Sequence, residues 1–442
     1  MNKNKLKKYL TLVLIPLIMF TFSACSDDDN PVDTGNESSA KIQGRVVGTS
    51  GFSKTNGLNQ ISGIEGAVVT VARVQSNGSL TTISNASVVT NAEGKFIVET
   101  NSVNERNLVV VAAKGNAEWK AVVSSSTTPG STATCPPLSD ETTAEAEVYA
   151  RVIANGKGNV VSYSDIQYYI DSKVAAEIKG NATLISQVAA ALNAEAEAKA
   201  KACADSYFQV SSTAIQTINN AKAEAQAQLE ASLYAAGENQ SSYDAAFETY
   251  QQAIINAYVN AGVEKSKCAK IIEISNDEMM RASASLSAQA KLALRKSSAK
   301  RKAYACRKAQ EEECDSAGAQ PAQKNAVINA GINLEASIDA AVSADEIDAA
   351  FEAYHNTVVE QLRITLNSHA AAITSIDATI NSAAGLRAVL LTSLAAAVST
   401  DAVVNAYITF YNNVKTLVET QMSAATSAQI KAATEVLVLA NM

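Results

Sequence analysis

Hydrophobic and polar positions divide the chain into three stretches with different patterns. A continuous apolar run covers 9–24, short runs with partial alternation cover 41–125, and alanine-rich stretches with helical spacing fill 141–442. Alternation is typical of strands, and a recurrence every three to four residues is typical of amphipathic helices. We therefore expect a multidomain chain in which a small all-β region precedes a large all-α region.

The β region contains four apolar runs that are rich in β-branched residues. They read "KIQGRVVG", "GAVVTVARV", "GKFIVET" and "NLVVVAAKG" in chain order. Turn residues separate them, notably at 76–78 and 91–94. Short strands between such turns predict a small antiparallel β-sandwich. Trp119 is expected in the core or at a domain junction, with an exposed binding aromatic as the alternative.

The helical region contains few helix-breaking residues. Pro321 is the one proline from residue 138 onward, and alanine is frequent throughout. Because proline costs about 3 kcal/mol inside a helix and alanine is the best helix former, this composition predicts an all-α fold. Serines followed three residues later by Gln or Glu predict helix starts, and glycines predict helix ends. The predicted starts are Ser164, Ser275 and Ser343, and the predicted ends are Gly156, Gly180, Gly237 and Gly318.

No helix breaker occurs between Gly180 and Gly237. An uninterrupted helix over this stretch would be about 80 Å long. A helix of that length does not fit inside a compact globule, so we expect an elongated bundle of antiparallel helices. Its alanine-rich seam buries little apolar area, so its stability must come from the length of the bundle or from a partner.

Three stretches of the helical region resemble one another. Residues 229–250, 334–354 and, more weakly, 391–410 each read as helix, short turn and helix. Each repeat carries two aromatic residues three positions apart, and a β-branched residue extends the same helix face. We interpret this stripe as core, and a repeated ligand platform of tyrosines is the alternative. The aromatic pairs are Phe247/Tyr250, Phe351/Tyr354 and Tyr407/Phe410.

The amino-terminal stretch combines a basic head, an apolar run and a cysteine. Four lysines within residues 1–8 precede the apolar run, which ends in "FSAC" at 22–25. The run is shorter than the roughly 20 apolar residues of a spanning helix and is typical of a secretory signal. "FSAC" resembles the lipobox of bacterial lipoproteins, with Phe22 where that family usually has an aliphatic residue. The resemblance implies that 1–24 is removed and that Cys25 is lipidated, and simple secretion with a free Cys25 is the alternative.

An acidic segment follows the cysteine. Residues 25–40 include "SDDD" and lack apolar periodicity, which is typical of a solvated tether. The "SDDD" run also resembles the signal that sends some lipoproteins to the outer face of the outer membrane. We therefore expect a protein that is lipid-anchored at the outer membrane. Display on the cell surface is favoured, and a periplasm-facing position is the alternative.

Several glycines and strands of the β region match a known pattern. They are Gly44 and Val46, "GIEGAVV" at 63–69, "TNAEGKF" at 90–96 and "LVVVAAKG" at 108–115. Together they resemble the carboxypeptidase regulatory-like domain, a transthyretin-like β-sandwich. The resemblance covers 41–125 and implies a stalk or accessory module rather than a catalyst. A segment rich in Pro, Ser and Thr at 126–140 is expected to link this domain to the helical domain.

The charge balance argues against a general affinity for nucleic acid. The chain has 36 basic and 44 acidic residues, which gives a net charge of −8. Nucleic-acid binding depends on basic patches that neutralise phosphates. The expected partners are therefore the membrane, through the N-terminal lipid, and a protein or a glycan.

Residues with catalytic chemistry are sparse. The two histidines, His355 and His369, have no nucleophile elbow, phosphate loop or metal-ligand motif beside them. Paired carboxylates such as Glu195 and Glu197 lie on alanine-rich helix faces and are expected to be solvated. We therefore expect no enzyme activity, no cofactor and no metal.

Five cysteines follow Cys25 in the chain. Disulfides persist in an oxidising compartment, so we predict at least one bridge between helices. A metal–thiolate cluster is the alternative, although the chain has no CxxC motif. Besides Cys135, which lies in the linker, the candidates for the bridges are Cys203, Cys268, Cys306 and Cys314.

A strongly basic run lies between residues 291 and 308. It is the one candidate surface for an anionic ligand, such as a glycan or a lipid headgroup. The alternative is a helix face whose charges pair with neighbouring glutamates. The basic residues of the run are Lys291, Arg295, Lys296, Lys300, Arg301, Lys302, Arg307 and Lys308.

Two classes of function are compatible with these features. The first is a lipid-anchored, non-enzymatic module that binds a partner or spaces it from the membrane. The second is a helical bundle that acts on membranes or assembles into a complex, with the apolar stretch 388–398 as the part that repacks. This stretch is too short to span a bilayer and is bounded by Arg387 and Asp401, so we expect it to be buried.

Overall fold

Nine strands are followed by thirteen helices over the residues that the structure describes. The computed structural model describes residues 39–48, 63–236, 240–368 and 376–442. The predicted order, a β region and then a larger α-helical region, is confirmed. Outside the described residues lie the signal sequence 1–24, most of the tether 25–40, Cys25, Gly237 and His369.

The strands lie between Ala40 and Ser139 and form one curled sheet. Their bounds are β1 (Ala40–Gly48), β2 (Val68–Val74), β3 (Leu80–Thr82), β4 (Val88–Val89), β5 (Lys95–Thr100), β6 (Leu108–Lys114), β7 (Ala117–Val123), β8 (Thr132–Thr134) and β9 (Leu138–Ser139). The order in the sheet is β3-β2-β6-β7-β9-β1-β5, with β4 paired to β2 and β8 paired to β1. β1 pairs in parallel with β8 and β9, and its pairing with β5 is antiparallel.

Two strands lie in the segment that the sequence suggested as a linker. β8 and β9 both fall within 126–140 and pair with β1. β9 also pairs with β7, so it lies between two strands that are distant in the chain. Cys135 and Leu138 from this segment are fully buried. The segment that connects the sheet to the helices is therefore part of the sheet. Ser139, the last residue of β9, caps the first helix.

The two faces of the sheet pack against different groups of residues. On one face, Phe96 and Val98 of β5 pack with Trp119 of β7 in a core formed by strand residues. Trp119 is only 7% exposed, so its interpretation as a packing residue is confirmed. On the other face, Val109 and Val122 pack in a cluster with residues of the helices. The sheet thus contributes to the interior of the helical region.

A tight turn before β5 requires glycine. Gly94 has a φ of +75°, a backbone conformation that residues with a side chain rarely adopt. A Cβ at this position would lie 2.5 Å from the carbonyl oxygen of Val46. The amide of Val46 donates a hydrogen bond to the carbonyl oxygen of Gly94 at 2.8 Å, which holds the turn against β1.

Replacing Gly94 with Ala is expected to lower the free energy of unfolding by about 3 kcal/mol. Backbone strain of about 1–2 kcal/mol adds to a clash of about 1–3 kcal/mol. Gly66→Ala is the matched control, because Gly66 has a φ of +76° but a Cβ there meets nothing within 4 Å. Urea unfolding followed by the fluorescence of Trp119 measures both variants. Equal losses for both would contradict the clash at Gly94.

The helices begin directly after β9 and continue to the end of the chain. Short segments connect them along the chain. The bounds are α1 (Asp140–Ala154), α2 (Tyr163–Tyr169), α3 (Ser172–Ile178), α4 (Ala182–Ala204), α5 (Ser212–Ala236), α6 (Gln240–Asn260), α7 (Lys265–Ala282), α8 (Ala288–Ser316), α9 (Pro321–Ala340), α10 (Ala344–Asn367), α11 (Ile376–Ala396), α12 (Thr400–Gln421) and α13 (Ser427–Asn441).

The predicted helix boundaries are correct at some positions and wrong at others. Ser343 caps α10, and its hydroxyl oxygen accepts a hydrogen bond from the amide of Glu346 at 3.2 Å. α2 begins earlier than predicted, because its cap is Ser162 and Ser164 lies inside the helix. Ser275 lies in the middle of α7, where its hydroxyl bonds to a carbonyl of the preceding turn. Glycines with positive φ follow the ends of α1, α3 and α8, as predicted, at Gly156, Gly180 and Gly318.

The expected uninterrupted helix is wrong, because α4 and α5 are separated by the loop 205–211. The carboxylate of Asp205 accepts a hydrogen bond from the amide of Tyr207 at 2.7 Å. The hydroxyl of Ser211 accepts one from the amide of Ala214 at 3.1 Å. Such local side-chain bonds offer the backbone an alternative to the helix and end it without glycine or proline.

The three repeats form helical hairpins. The pairs α5/α6, α9/α10 and α11/α12 each consist of consecutive helices that pack against each other. Their aromatic stripes lie in one large core, where Tyr354 is 2% exposed and Tyr407 is 1% exposed. Val358 and Val414, which extend the stripes, are fully buried. The interpretation of the stripes as core is therefore confirmed.

α7 runs through the middle of the helical region. It packs against α4 and α8 and also contacts α6, α12 and α13. Twelve of its 18 residues are buried, and they include charged as well as apolar side chains. The described residues all belong to one compact unit, so the sheet, the helices and these charges share one interior.

Candidate functional site

Five charged side chains meet inside the helical region, and we call them the ionic cluster. No more than 13% of any of these side chains is exposed. Charges at such depth are costly unless opposite charges and hydrogen bonds compensate them. The members are Asp165 from α2, Glu195 and Lys199 from α4, Lys222 from α5 and Arg301 from α8.

Asp165 is the centre of the ionic cluster. The Nζ atom of Lys222 lies 3.2 Å from both of its carboxylate oxygens. Lys199 Nζ lies 3.3 Å from Oδ1, and Arg301 Nη1 lies 3.6 Å from the same oxygen. The local sequence places Asp165 there, because Ser162 caps α2 and accepts the amide hydrogen of Asp165. The cap holds the carboxylate in the first turn of the helix.

Glu195 forms the other anionic side of the ionic cluster. Its Oε1 atom lies 2.9 Å from Lys199 and 3.3 Å from Arg301. Arg301 also donates to the hydroxyl of Tyr169 at 3.1 Å, and that hydroxyl donates to Asn276 of α7 at 2.8 Å. The expectation that Glu195 is solvated is wrong, since its exposed fraction is 0%. Its charge is instead compensated inside the fold.

The ionic cluster shifts the pKa values of its own members. Burial by itself would raise the pKa of Asp165, but the three neighbouring cations hold that pKa well below its usual value. Burial lowers the pKa of Lys222 to about 8, although Asp165 opposes this shift. At neutral pH Asp165 is therefore ionised and most of Lys222 is protonated.

A small cavity adjoins the ionic cluster. Its volume of about 20 Å³ has room for one water-sized species. Clefts that bind organic ligands have volumes of about 300–1,000 Å³. The fold thus gathers Asp and Tyr side chains around a space that is too small for an organic substrate. The polar side chains of its lining include Ser164, Asp165, Tyr168, Lys222, Tyr250 and Arg301.

The basic run 291–308 lies along α8 and is largely paired with acidic side chains of this chain. Arg301 belongs to the ionic cluster, Lys302 lies 2.6 Å from Glu273, and Arg307 lies 3.0 Å from Glu335. This arrangement favours the alternative interpretation of the run, although many of the pairs are buried rather than solvated. Lys291 is half-buried. The other contacts are Arg295 with Asp348 at 2.5 Å, Lys300 with Asp339, Lys308 with Glu311 at 3.7 Å, and Lys296 with the carbonyl oxygen of Asp339 at 2.9 Å.

A second set of buried charges surrounds α7. Lys270 is fully buried, and its Nζ atom lies 2.6 Å from Glu435 and 2.7 Å from the hydroxyl of Tyr207. The hydroxyl of Tyr407 donates to Asp277, and burial raises the pKa of this carboxyl to about 6. Because Lys270 faces the carboxylate of Glu435, this set has no excess of positive charge.

The predicted disulfide between helices is not formed among the residues that the structure describes. Cys203, Cys268, Cys306 and Cys314 are free and buried there, as is Cys135. Burial raises the pKa of Cys268, Cys306 and Cys314 to about 12 and that of Cys203 to about 11. Because the thiolate is the reactive species, these thiols are held in their unreactive form at neutral pH.

His355 packs in the helical core. Its ring stacks on Phe351 with 5.8 Å between ring centroids, and burial lowers its pKa well below the usual value.

Across the four described ranges, no three side chains of His, Cys, Asp or Glu are grouped so that they would hold a metal ion. None of the helices within those ranges combines the length and the apolar composition that crossing a membrane requires.

Most of the ionic cluster was not predicted from the sequence, although the sequence contains a signal for it. Glu195 and Lys199 are four residues apart, and so are Lys222 and Gln226. Residues at this spacing share one helix face. The same spacing is typical of solvated faces that carry ion pairs, so it does not distinguish a buried polar face from an exposed one.

Fold and site together define a chain in which a curled sheet leads into a helical bundle with an ionic interior. A comparison with family models finds no match for the chain, and comparisons with curated proteins and with solved structures find none either.

Proposed function

We propose that the protein is anchored by lipid at the bacterial outer membrane, displayed on the cell surface, and acts as a non-enzymatic binding or spacer module. The observation that carries the proposal is "FSAC" at 22–25, where an apolar run ends at a cysteine that precedes an acidic segment. Two acyl chains on Cys25 would hold the protein stably at the membrane. A periplasm-facing position is the alternative orientation.

The spacing between the lipidated cysteine and the first strand suits a spacer. Ala40, the first residue of β1, follows Cys25 by 15 positions. A chain of this length spans at most about 50 Å when it is extended. Clustered carboxylates repel one another and stay hydrated, which favours an extended tether. The sheet and helices would then be held off the lipid surface, where a protein or a glycan can reach them.

The interior of the helical region supports contact rather than catalysis. The cavity beside the ionic cluster has room for one water-sized species, and the charged groups around it are engaged in ion pairs. We also propose that the sheet is a transthyretin-like β-sandwich of the carboxypeptidase regulatory-like type, supported by the glycine turn at Gly94 before Phe96. The helical hairpins support an antiparallel bundle as the second part of the module.

Replacing Cys25 with Ser is expected to move the protein from the membrane fraction to the soluble fraction. The variant should also lose the incorporation of labelled fatty acid, because the acceptor thiol is gone. Cys135→Ser is the matched control, since Cys135 is buried between β8 and β9 and should not affect labelling. Protease treatment of intact cells measures surface display. Wild-type protein that is soluble and unlabelled would contradict the proposal.

A second candidate function is membrane action or assembly into a complex, and α11 favours it. The stretch 388–398 was expected to be buried, but Val389 is 58% exposed, Leu391 is 53% exposed and Val398 is 89% exposed. Leu390 packs inward at 2% exposure, and Leu394 and Ala397 are half-buried against the same core. Clustered exposed apolar side chains often mark interaction sites. Leakage of dye from liposomes tests membrane action, and light scattering of the purified protein tests assembly.

A further inference from the structure

The ionic cluster has one more cation than it has carboxylates. The charged groups that act on the ammonium of Lys222 are the other two cations, Lys199 and Arg301, and the two carboxylates, Asp165 and Glu195. Tyr168 and Tyr169 add no negative charge, because burial raises the pKa of each hydroxyl above its usual value. Among the described residues that act on Lys222, one positive charge of the ionic cluster is thus left without a matching carboxylate.

An unmatched charge in a protein interior is costly and is relieved in one of two ways. Either a lysine releases its proton or an anion enters. The pKa of Lys222 is lowered by burial but only to about 8, so most of this side chain stays protonated at neutral pH. The second way needs both space and hydrogen-bond donors beside the ionic cluster.

The cavity beside the ionic cluster supplies both the space and the donors. It is lined by Lys222 and Arg301 and has a volume of about 20 Å³. Tyr168 also lines it, and the hydroxyl of this residue is buried and has no hydrogen-bond partner among the described residues. A buried hydroxyl without a partner is uncommon in native proteins, and a bound water or ion is one of the explanations for it.

We propose that this cavity binds one small monovalent anion, such as chloride, between the side chains of Lys222, Arg301 and Tyr168. The two cations compensate its charge, and the Tyr168 hydroxyl donates a hydrogen bond to it. Asp165 also lines the cavity, but its charge is already paired with the cations of the ionic cluster. The volume admits a halide and excludes a large anion such as gluconate. This inference is independent of the lipid anchor and of the proposed function.

Unfolding in two salts tests the anion site. Urea unfolding of the protein is measured in potassium chloride and in potassium gluconate at the same ionic strength. For a dissociation constant on the order of 10 mM, 200 mM chloride lowers the unfolding equilibrium constant about 20-fold. Equal unfolding constants in the two salts would overturn the proposal.

Three variants assign the chloride effect to the cavity. Lys222→Met removes the excess charge and is expected to abolish the effect. Tyr168→Phe keeps every charge and is expected to weaken chloride binding about tenfold, because it removes a hydrogen bond to an ion. Lys415→Met, at an exposed lysine of α12, is the matched control and should keep the full effect. An effect that persists in both cavity variants would overturn this location.

Bromide locates the anion directly and does not depend on how the variants fold. Crystals of the wild-type protein grown in bromide are expected to show anomalous scattering in the cavity between Lys222 and Arg301. An ordered water only, without anomalous signal, would overturn the proposal.

Discussion

Asp165→Asn is expected to lower the free energy of unfolding by about 3–5 kcal/mol, the largest loss that we predict for a single substitution. The substitution removes the carboxylate that three buried cations share and leaves Glu195 as their one anionic partner in the ionic cluster. Removing one partner of a buried ion pair is strongly destabilising because it leaves an uncompensated charge in the interior. Urea unfolding followed by circular dichroism measures the loss.

Two further variants separate charge balance from the simple loss of a contact. Lys222→Met leaves two cations with two carboxylates. In potassium gluconate, it should therefore lower the free energy of unfolding by less than half as much as Asp165→Asn does. Glu419→Gln removes an exposed carboxylate 3.9 Å from Lys415 and should change the free energy of unfolding by no more than about 0.5 kcal/mol. If Asp165→Asn is as mild as Glu419→Gln, the ionic cluster is solvated and the account of the interior is wrong.

Glu230→Gln is expected to flatten the pH dependence of stability between about pH 4.5 and 8. Glu230 is fully buried on α5, which packs near β8, and burial raises its pKa to about 8, with Ser124 and Gln226 opposing. The folded protein therefore keeps a proton that the unfolded chain, with a pKa of 4.5, releases. The stability from this proton is fully present below about pH 4.5. This stabilisation decreases by about 1.4 kcal/mol per pH unit as the pH rises above 4.5, and it is lost once the pH has passed through 8.

Urea unfolding of both proteins at a series of pH values measures this effect. Gln resembles the protonated carboxyl, so the two proteins should be similarly stable near pH 4.5, and the variant should be more stable at pH 8. Glu224→Gln is the matched control, because Glu224 is an exposed residue of the same helix. It should follow the wild-type profile. Parallel profiles for the wild type and Glu230→Gln would show that Glu230 is ionised in the folded protein.

The ionic interior bears on how an alanine-rich bundle holds together. Alanine faces bury little apolar area, so length or a partner was expected to supply the stability. The structure adds buried pairs between helices that are distant in the chain, such as Arg301 with Glu195 and Lys302 with Glu273. A buried charge pair forms in only one relative position of the two helices that carry it. Two alanine-rich faces, by contrast, can pack against each other in several positions.

Features that act over a few residues could be predicted from the sequence. The cap at Ser343, the helix end at Gly318 and the aromatic stripes of the repeats are examples, because capping and periodicity are local. The break at 205–211 was missed, since its turn depends on side-chain bonds from Asp205 and Ser211 rather than on glycine or proline. These residue types also occur on exposed helix surfaces, so they gave no distinct signal.

The sequence by itself determined the order of the parts: an apolar run that ends at Cys25, a β-branched region and an alanine-rich helical region. Composition and periodicity suffice for this because each acts within a short window of the chain. Only the tertiary structure decided that Glu195 and Lys222 are interior and that the basic run pairs with carboxylates of its own chain. The physical reason is that a charged helix face suits water and a partner helix equally well. Burial and compensation are therefore decided by groups as far apart in the chain as Asp165 and Arg301.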